Sequence, residues 1–412
     1  MKKLGVILSF LILLSIYAPL YTFAGQSPYQ IAENEHIHVN KQNNPKSAQV
    51  TTKNGQILYN YNIHKQVDPA STTKLMTLAL ILDDIKHKKF NFYDTVKIDL
   101  REQKMSQIPN LTTFPLKTGQ TFSILQLVKQ AMLESSNAAT LVLAEEIDGN
   151  SSHFTNRMNK KAKQIGMQNT HFTNPSGANI KLLKPFAPKQ YQNQTYSYTT
   201  ANDMSLLSHY ILNHYPEALK ITSLKSDLQY HKSLHNTNTS LPSFPDGMKD
   251  VDGLKTGTSD NGYNLVLTAK RNHLRVISTL FNTQPYPSDK AKHARQQISN
   301  GLIKHAFDHY EYRKVLTKGR HTINGKVYKV KHDLYDVVPT KLHDYSFKIS
   351  DDNTLTLNYK RTFLKGAHPP SVEVEPVINW KQIITYIFIA ILLIFIIIMI
   401  FVLKNTYKKK HS

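Results

Sequence analysis

Ser71 stands three residues before Lys74 in "DPASTTKLMTLALILDD", directly ahead of an apolar run. At a helix N-terminus the backbone N–H groups and the macrodipole favour negative charge developing on a hydroxyl oxygen. A lysine one turn further on shares that face. Once desolvated, its amine loses basicity and can take the serine proton. The pair is then a nucleophile with a built-in base and has no need of histidine. The same residues also read as an N-cap serine followed by a snorkelling lysine, so the spacing alone does not decide. It is the one Ser-x-x-Lys in the chain.

Two further groups could join it. In "ESSNAA", Ser135 and Asn137 interrupt an otherwise apolar helical segment. As a loop between two helices they would offer a hydroxyl and an amide to one cavity; as a plain helix break they would only cap. In "VDGLKTGTSDNGYNLVL", Lys255, Thr256, Gly257 and Thr258 lead into an alternating strand pattern. Gly lets another group approach the backbone closely. A lysine and a threonine on an edge strand suit a substrate carboxylate; the alternative is an exposed hairpin strand. Lys117-Thr118-Gly119 repeats the last triplet, and Ser259-Asp260-Asn261 repeats the serine-x-asparagine pattern.

These residues need a scaffold. "AQVTTKNGQILYNYN" reads as a hairpin about Asn54-Gly55. Pro69 opens a helix that continues through Leu75 to Leu82. "TFSILQLVKQAMLESSNAATLVLAEEI", "ANDMSLLSHYILNHY" and "KHARQQISNGLIKHAFDHY" have helical spacing, and "NGYNLVLTAKRNHLRVISTLF" alternates like two strands. The order predicts an α/β (α+β) layer domain over 25–310, with residues 25–44 loose. A small β-rich domain over 311–375 follows, built on hairpins at Asn324-Gly325 and Asp351–Asn353.

The ends read differently. Residues 1–24 have a positive start, an apolar run from Leu4 to Leu14 and a small residue, Ala24, as in a signal peptide. Residues 383–403 carry no charge and are long enough to span a bilayer. The basic tail 404–412 would stay cytoplasmic, which places the catalytic region on the outer face of the cell membrane. The 412-residue chain has no cysteine, so thiol catalysis and disulfides are excluded. Its net charge is +22. The lysines are dispersed instead of clustered with aromatics, so nucleic acid is not an expected partner and an anionic wall polymer or membrane face fits better.

The ordered trio Ser71-x-x-Lys74, Ser135-x-Asn137 and Lys255-Thr256-Gly257 resembles the serine penicillin-recognising enzymes, whose signature runs in that order. The other K-T-G and S-x-N copies break the order. "DPASTTKLMT", "SSNAATLVLAE", "GMQNTHFTNPSGA", "YSYTTANDM" and "VDGLKTG" further resemble the low-molecular-mass D-alanyl-D-alanine carboxypeptidases. The resemblance implies a β-lactamase/transpeptidase-like domain with an antiparallel sheet flanked by helices. It implies peptidoglycan stem peptides as substrate and β-lactams as covalent inhibitors, with no metal or other cofactor. It also implies roles. Ser71 attacks the penultimate D-Ala carbonyl, and Lys74 is its base. Ser135 relays a proton to the leaving nitrogen. Asn137 holds a peptide carbonyl. Lys255 and Thr256 bind the terminal carboxylate, with Gly257 between them and the oxyanion donors Ser71 N–H and Thr258 N–H. Release of the acyl group to an amine would make cross-links.

Three rivals stand beside this reading. A class A β-lactamase deacylates with a loop glutamate; "TNPSGA" stands where that loop would fall. A penicillin sensor would need an intracellular effector, which the short tail cannot supply but a partner chain could. A metalloenzyme is suggested by nineteen histidines, with His231 and His235 at helical i, i+4 spacing, but no glutamate lies between them in the H-E-x-x-H manner.

Overall fold

The computed structural model describes residues 25–343, 345–378 and 380–410; the signal-peptide reading of 1–24 lies outside them. The chain divides into two compact units. One comprises the residues up to 311 together with 361–368, and the other 312–360 together with 369 onward.

The first unit is layered on a six-stranded antiparallel sheet. Its strands are β1 (Ser47–Thr52), β2 (Gln56–Tyr61), β3 (Val251–Ser259), β4 (Gly262–Arg271) and β5 (Leu274–Thr283), with the short strand Thr362–Phe363 beside β2. The spatial order is Thr362–Phe363, β2, β1, β5, β4, β3, so β3 is an edge. Register pairs Val50 with Ser278 and Lys255 with Val266. β4 and β5 are buried over nearly their whole length, so the strict in-out alternation of a half-solvated sheet is replaced by near-continuous burial.

Helix α1 (Pro28–Asn34) departs from the loose N-terminal segment expected from composition. Ser27 and Gln30 form a reciprocal capping box and Pro28 occupies the first turn. Ile31 and Ala32 are buried, and a Cβ at Gly301 would meet the Ala32 Cα at 2.9 Å. The local cap sets the helix and the notch at Gly301 seats it.

Helix α2 (Lys74–Lys86) is the central rod. Leu75, Met76, Leu78, Ala79, Leu80, Ile81 and Leu82 are all buried, so as far as Leu82 no face looks to solvent. Burying each large side chain is worth about 1.5–3 kcal/mol, which makes this helix a stiff base for Ser71 and Lys74. Helix α3 (Ile124–Lys129) packs on α4 (Asn137–Asp148), which packs against this rod together with α5 (Ser151–Gln164) and α6 (Ala201–His214). Helix α7 (Asp289–His309) packs on β4 and β5. His231 and His235 do not share a helix. They sit in the turn and at the far end of a hairpin, Ser226–Gln229 with Lys232–His235. A tight Tyr230-His231 turn, with both residues at positive φ, pairs the two short strands and outweighs the i, i+4 spacing.

The second unit carries a five-stranded sheet. Gly319–Ile323 pairs with Lys326–Val330 across Asn324-Gly325, and Ser346–Ile349 with Thr354–Asn358. Ser371–Pro376 joins the two ladders between them. Val330, Val338, Leu355 and Val374 form its core. Helix α8 (Trp380–Lys410) follows. Among the described residues it contains the one segment long and apolar enough to cross a membrane, Ile383–Tyr407.

Candidate active site

Ser71 lies in a 3₁₀ turn, Ala70–Thr73, that runs directly into α2. The nucleophile candidate therefore stands at the start of a helix that is locked in the core as far as Leu82. Ala70 takes φ 47°, the left-handed region that L residues occupy at a cost of order 1 kcal/mol. Asp68 stabilises the turn by accepting from Ala70 N–H at 2.9 Å. Asn264 on β4 donates to the Asp68 carbonyl at 2.8 Å, which ties the turn to the sheet.

Lys74 is fully buried. Its Nζ lies 2.9 Å from Ser71 Oγ, and it donates at 2.9 Å to Asn137 Oδ1 and at 2.9 Å to the Ser176 carbonyl. The Asn137 orientation is settled by its other end, because Nδ2 donates to the Thr112 carbonyl at 2.8 Å. Two obligatory acceptors thus claim two amine hydrogens. In the neutral amine the remaining position is the lone pair, and it faces the Ser71 hydroxyl. Burial, and next the nearby Lys255 charge, hold the Lys74 amine well below its ordinary pKa.

Ser135 and Asn137 come from the break between α3 and α4. After α3 the chain widens into a π turn, Gln130–Glu134, and Ser135 adopts φ 67°. Such π segments recur at functional sites. The intervening Ser136 is structural: its Oγ accepts from Ala139 N–H and Phe114 N–H. Glu134, the last residue of the π turn, accepts from His235 N–H at 3.0 Å.

Edge strand β3 closes the site. Lys255 is buried and donates to Ser135 Oγ at 3.1 Å and to the Thr256 carbonyl at 3.1 Å. Burial, and next the buried Arg295 guanidinium, pull its amine down to about 7. Thr256 shares a 2.6 Å hydroxyl contact with Thr237. A Cβ on Gly257 would meet the Pro69 carbonyl at 2.9 Å and Thr72 N at 3.2 Å, so only glycine lets the strand lie against the Ser71 turn. Lys117, in the duplicate K-T-G, is exposed in a turn and outside this cluster.

A cleft of about 330 Å³ opens over these groups and is lined by Ser71, Asn137 and Thr258 together with Asp68, Thr112 and Tyr286. In the sequence, residues 173–178 carry a resemblance to the carboxypeptidases and lack a glutamate, but no role is assigned to them. They prove to carry a contact of their own. Asn174 Oδ1 accepts from Ser176 N–H, Ser176 Oγ and Gly177 N–H, which bends the turn so that the Ser176 carbonyl reaches Lys74. Gly177 has φ 75°, and a Cβ there would overlap the Ala70 carbonyl at 1.9 Å. The Asn-Pro-Ser-Gly run was the available signal of a turn.

Residues 35–285 match the S11 peptidase family described as D-alanyl-D-alanine carboxypeptidase. The chain belongs to this family. Residues 312–375 match a domain of unknown function (DUF1958). The D-alanyl-D-alanine carboxypeptidase DacF of Bacillus subtilis is 28% identical over 350 residues, covering 83% of this chain and 80% of that protein. Among solved structures, the chain is similar to the peptidoglycan synthesis regulatory factor PBP3 of Streptococcus pneumoniae, with a TM-score of 0.71 at 22% identity over 81% of this chain and 98% of that one. It is also similar to penicillin binding protein 5 of Haemophilus influenzae, with a TM-score of 0.62 at 25% identity over 81% and 96%. The transpeptidase-like α+β fold, the low-molecular-mass penicillin-binding class and the serine carboxypeptidase class are those of this D-alanyl-D-alanine carboxypeptidase family.

Proposed function

We propose that this carboxypeptidase cleaves the D-Ala-D-Ala end of peptidoglycan stem peptides through an acyl-enzyme on Ser71. The observation that carries the reading is the Lys74 amine, stripped of water, with two carbonyl acceptors fixing its hydrogens and its lone pair on Ser71. Ser71 Oγ attacks the penultimate D-Ala carbonyl as its proton passes to Lys74. The oxyanion is held by the backbone N–H groups of Ser71 and Thr258, each such donor being worth about 3–4 kcal/mol. Lys255 and Thr256 receive the terminal carboxylate. Asn137 has one Nδ2 hydrogen beyond its Thr112 bond to offer the substrate carbonyl. Ser135, held by Lys255, passes a proton to the leaving amine, and free D-Ala departs. β-Lactams acylate the same oxygen.

Water releases the acyl group in the carboxypeptidase reaction; an amine of a second stem peptide does so in cross-linking. The acids lining the cleft are Asp68 and Asp260, and the cleft has no glutamate to drive water as in a class A β-lactamase. Incubation with a D-Ala-D-Ala stem pentapeptide should give free D-Ala and tetrapeptide. Adding an acceptor amine should divert part of the product to an amide, read by mass spectrometry. Failure to release D-Ala under either condition overturns the proposal.

Helix α8 is further proposed to anchor the enzyme, with the lysines after Leu403 on the cytoplasmic side and the site outside. Truncation ahead of Ile383 should convert a membrane-fraction protein into a soluble one that still acylates, since every motif residue precedes residue 260. A truncated protein that stays with the membrane counts against the anchor, and one that folds without acylating shows that the anchor shapes the site.

A further inference from the structure

Far from the cleft, α1 and α7 bring together Glu35, His305 and His309, whose ligand atoms all lie within 4.8 Å of one another. We propose that these three residues form a structural binding site for Zn²⁺ that staples the N-terminal helix to α7.

The local packing aims the three groups at one point. Ala32 sits in the notch at Gly301, so Glu35, next after the end of α1, faces His305 one turn further along α7. His309 is a second turn on, and the two imidazoles lie with centroids 4.0 Å apart. An i, i+4 histidine pair on one helical face is a natural chelate. The contacts around the group are those expected of outer-shell partners. His309 Nδ1 lies 2.9 Å from the His305 carbonyl and must be its N–H donor, which leaves the ring lone pair on Nε2. Glu35 is buried, and Lys304 Nζ holds its Oε2 at 2.5 Å. Its Oε1 lies 2.8 Å from His305 Nδ1. Lys304 also bonds Asp308 Oδ2 at 2.8 Å, so its charge is balanced without Glu35 Oε1. A tetrahedral ion with bonds of about 2.0–2.1 Å needs ligand atoms about 3.3 Å apart, so side chains whose ligand atoms now lie within 4.8 Å of one another close on the ion by up to about 1.5 Å, within reach of side-chain rotation. Two imidazoles with one carboxylate select Zn²⁺-like ions over Mg²⁺ or Ca²⁺, which want oxygen. Water supplies the fourth position.

The site is separate from the chemistry. Arg295, on the same helix, donates to the Gly257 carbonyl beside the cleft, and His305 lies ten residues further on, about 15 Å along the axis. The ion should therefore act on the attachment of α1 and leave acylation alone.

The full-length chain, purified in detergent and stripped with chelator, is titrated with Zn²⁺ by calorimetry and with Co²⁺ by visible absorption. One equivalent should bind, with the absorption of tetrahedral Co²⁺ and a rise in the unfolding midpoint. His309→Ala, at an exposed position, should lose the Co²⁺ bands and the midpoint rise. Its dissociation constant should climb by more than the roughly 10–100-fold that loss of an outer-shell partner costs. Glu35→Gln should behave alike. His231→Ala, in the distant hairpin, should bind as the parent does. Penicillin labelling of His309→Ala at the parental rate shows that the variant is folded. Absence of saturable binding, or binding unchanged in folded His309→Ala, overturns the proposal.

Discussion

Ser71→Ala eliminates covalent labelling by a fluorescent penicillin, and Lys74→Met lowers the labelling rate by about 10²–10⁴-fold, the usual worth of a positioned general base. The two losses differ in kind. Without Ser71 no acyl bond can form. Without Lys74 the hydroxyl remains but keeps its proton. Neither change should unfold the protein, because Ser71 is only half-buried and methionine fills the volume of the lysine stem. Intact-protein mass and a thermal midpoint check both points. An adduct mapped to any other residue would sink the assignment. The pH profile tests the base directly. Lys74 works as the neutral amine, so the acylation rate constant kcat/KM rises with pH as Lys74 loses its proton. Lys255 works as the cation, so the rate falls as pH passes about 7, the value to which burial and Arg295 bring it in the free enzyme. The two lysines repel each other, so the limbs belong to the pair. Lys74→Met should lose the rising limb and keep the falling one. A rising limb of unchanged position in that variant would show that another group supplies the base.

Lys255→Ala slows acylation by roughly 30-fold to 1,000-fold, about 2–4 kcal/mol, whereas Lys117→Ala changes it by less than about 0.5 kcal/mol. Both lysines stand in Lys-Thr-Gly. Lys255 is buried on edge strand β3, 3.1 Å from Ser135 Oγ, while Lys117 projects into solvent from a turn. A charge-assisted contact that tightens as the substrate reacts costs most when removed from a dry site. Lys255→Met, which keeps the buried volume, separates lost charge from lost packing. Rates measured with penicillin and with a D-Ala-D-Ala peptide decide the matter. Equal rates in the Lys255 and Lys117 variants would overturn the assignment.

The hairpin ladders were legible because their turns and periods are local facts. Asn54-Gly55 and Asn324-Gly325 close hairpins, and the strand pattern read after Gly262 corresponds to β4 and β5, although burial there is near-continuous instead of alternating. Helix α1 was equally local and was missed. Its Ser27-Pro28-x-Gln30 cap outweighs a polar composition, since a cap satisfies the orphan donors of a first turn whatever the residues around it. The pairing of Thr362–Phe363 with β2 carried no comparable signal, as two residues have no period to read.

What the sequence determined by itself was the reactive pair and its order among the motifs. Ser71 and Lys74 are three residues apart, and one turn of backbone is enough to put them on one face. Everything that makes the lysine a base was decided by tertiary structure. Asn137 and the Ser176 carbonyl reach Nζ from elements 63 and 102 residues away, and Gly257 admits β3 to the Ser71 turn. The same holds for Glu35, which meets His305 across 270 residues. Basicity and metal affinity depend on which dipoles and charges surround an atom after water has been removed. That surrounding is made by packing of distant segments, and spacing along the chain does not encode it.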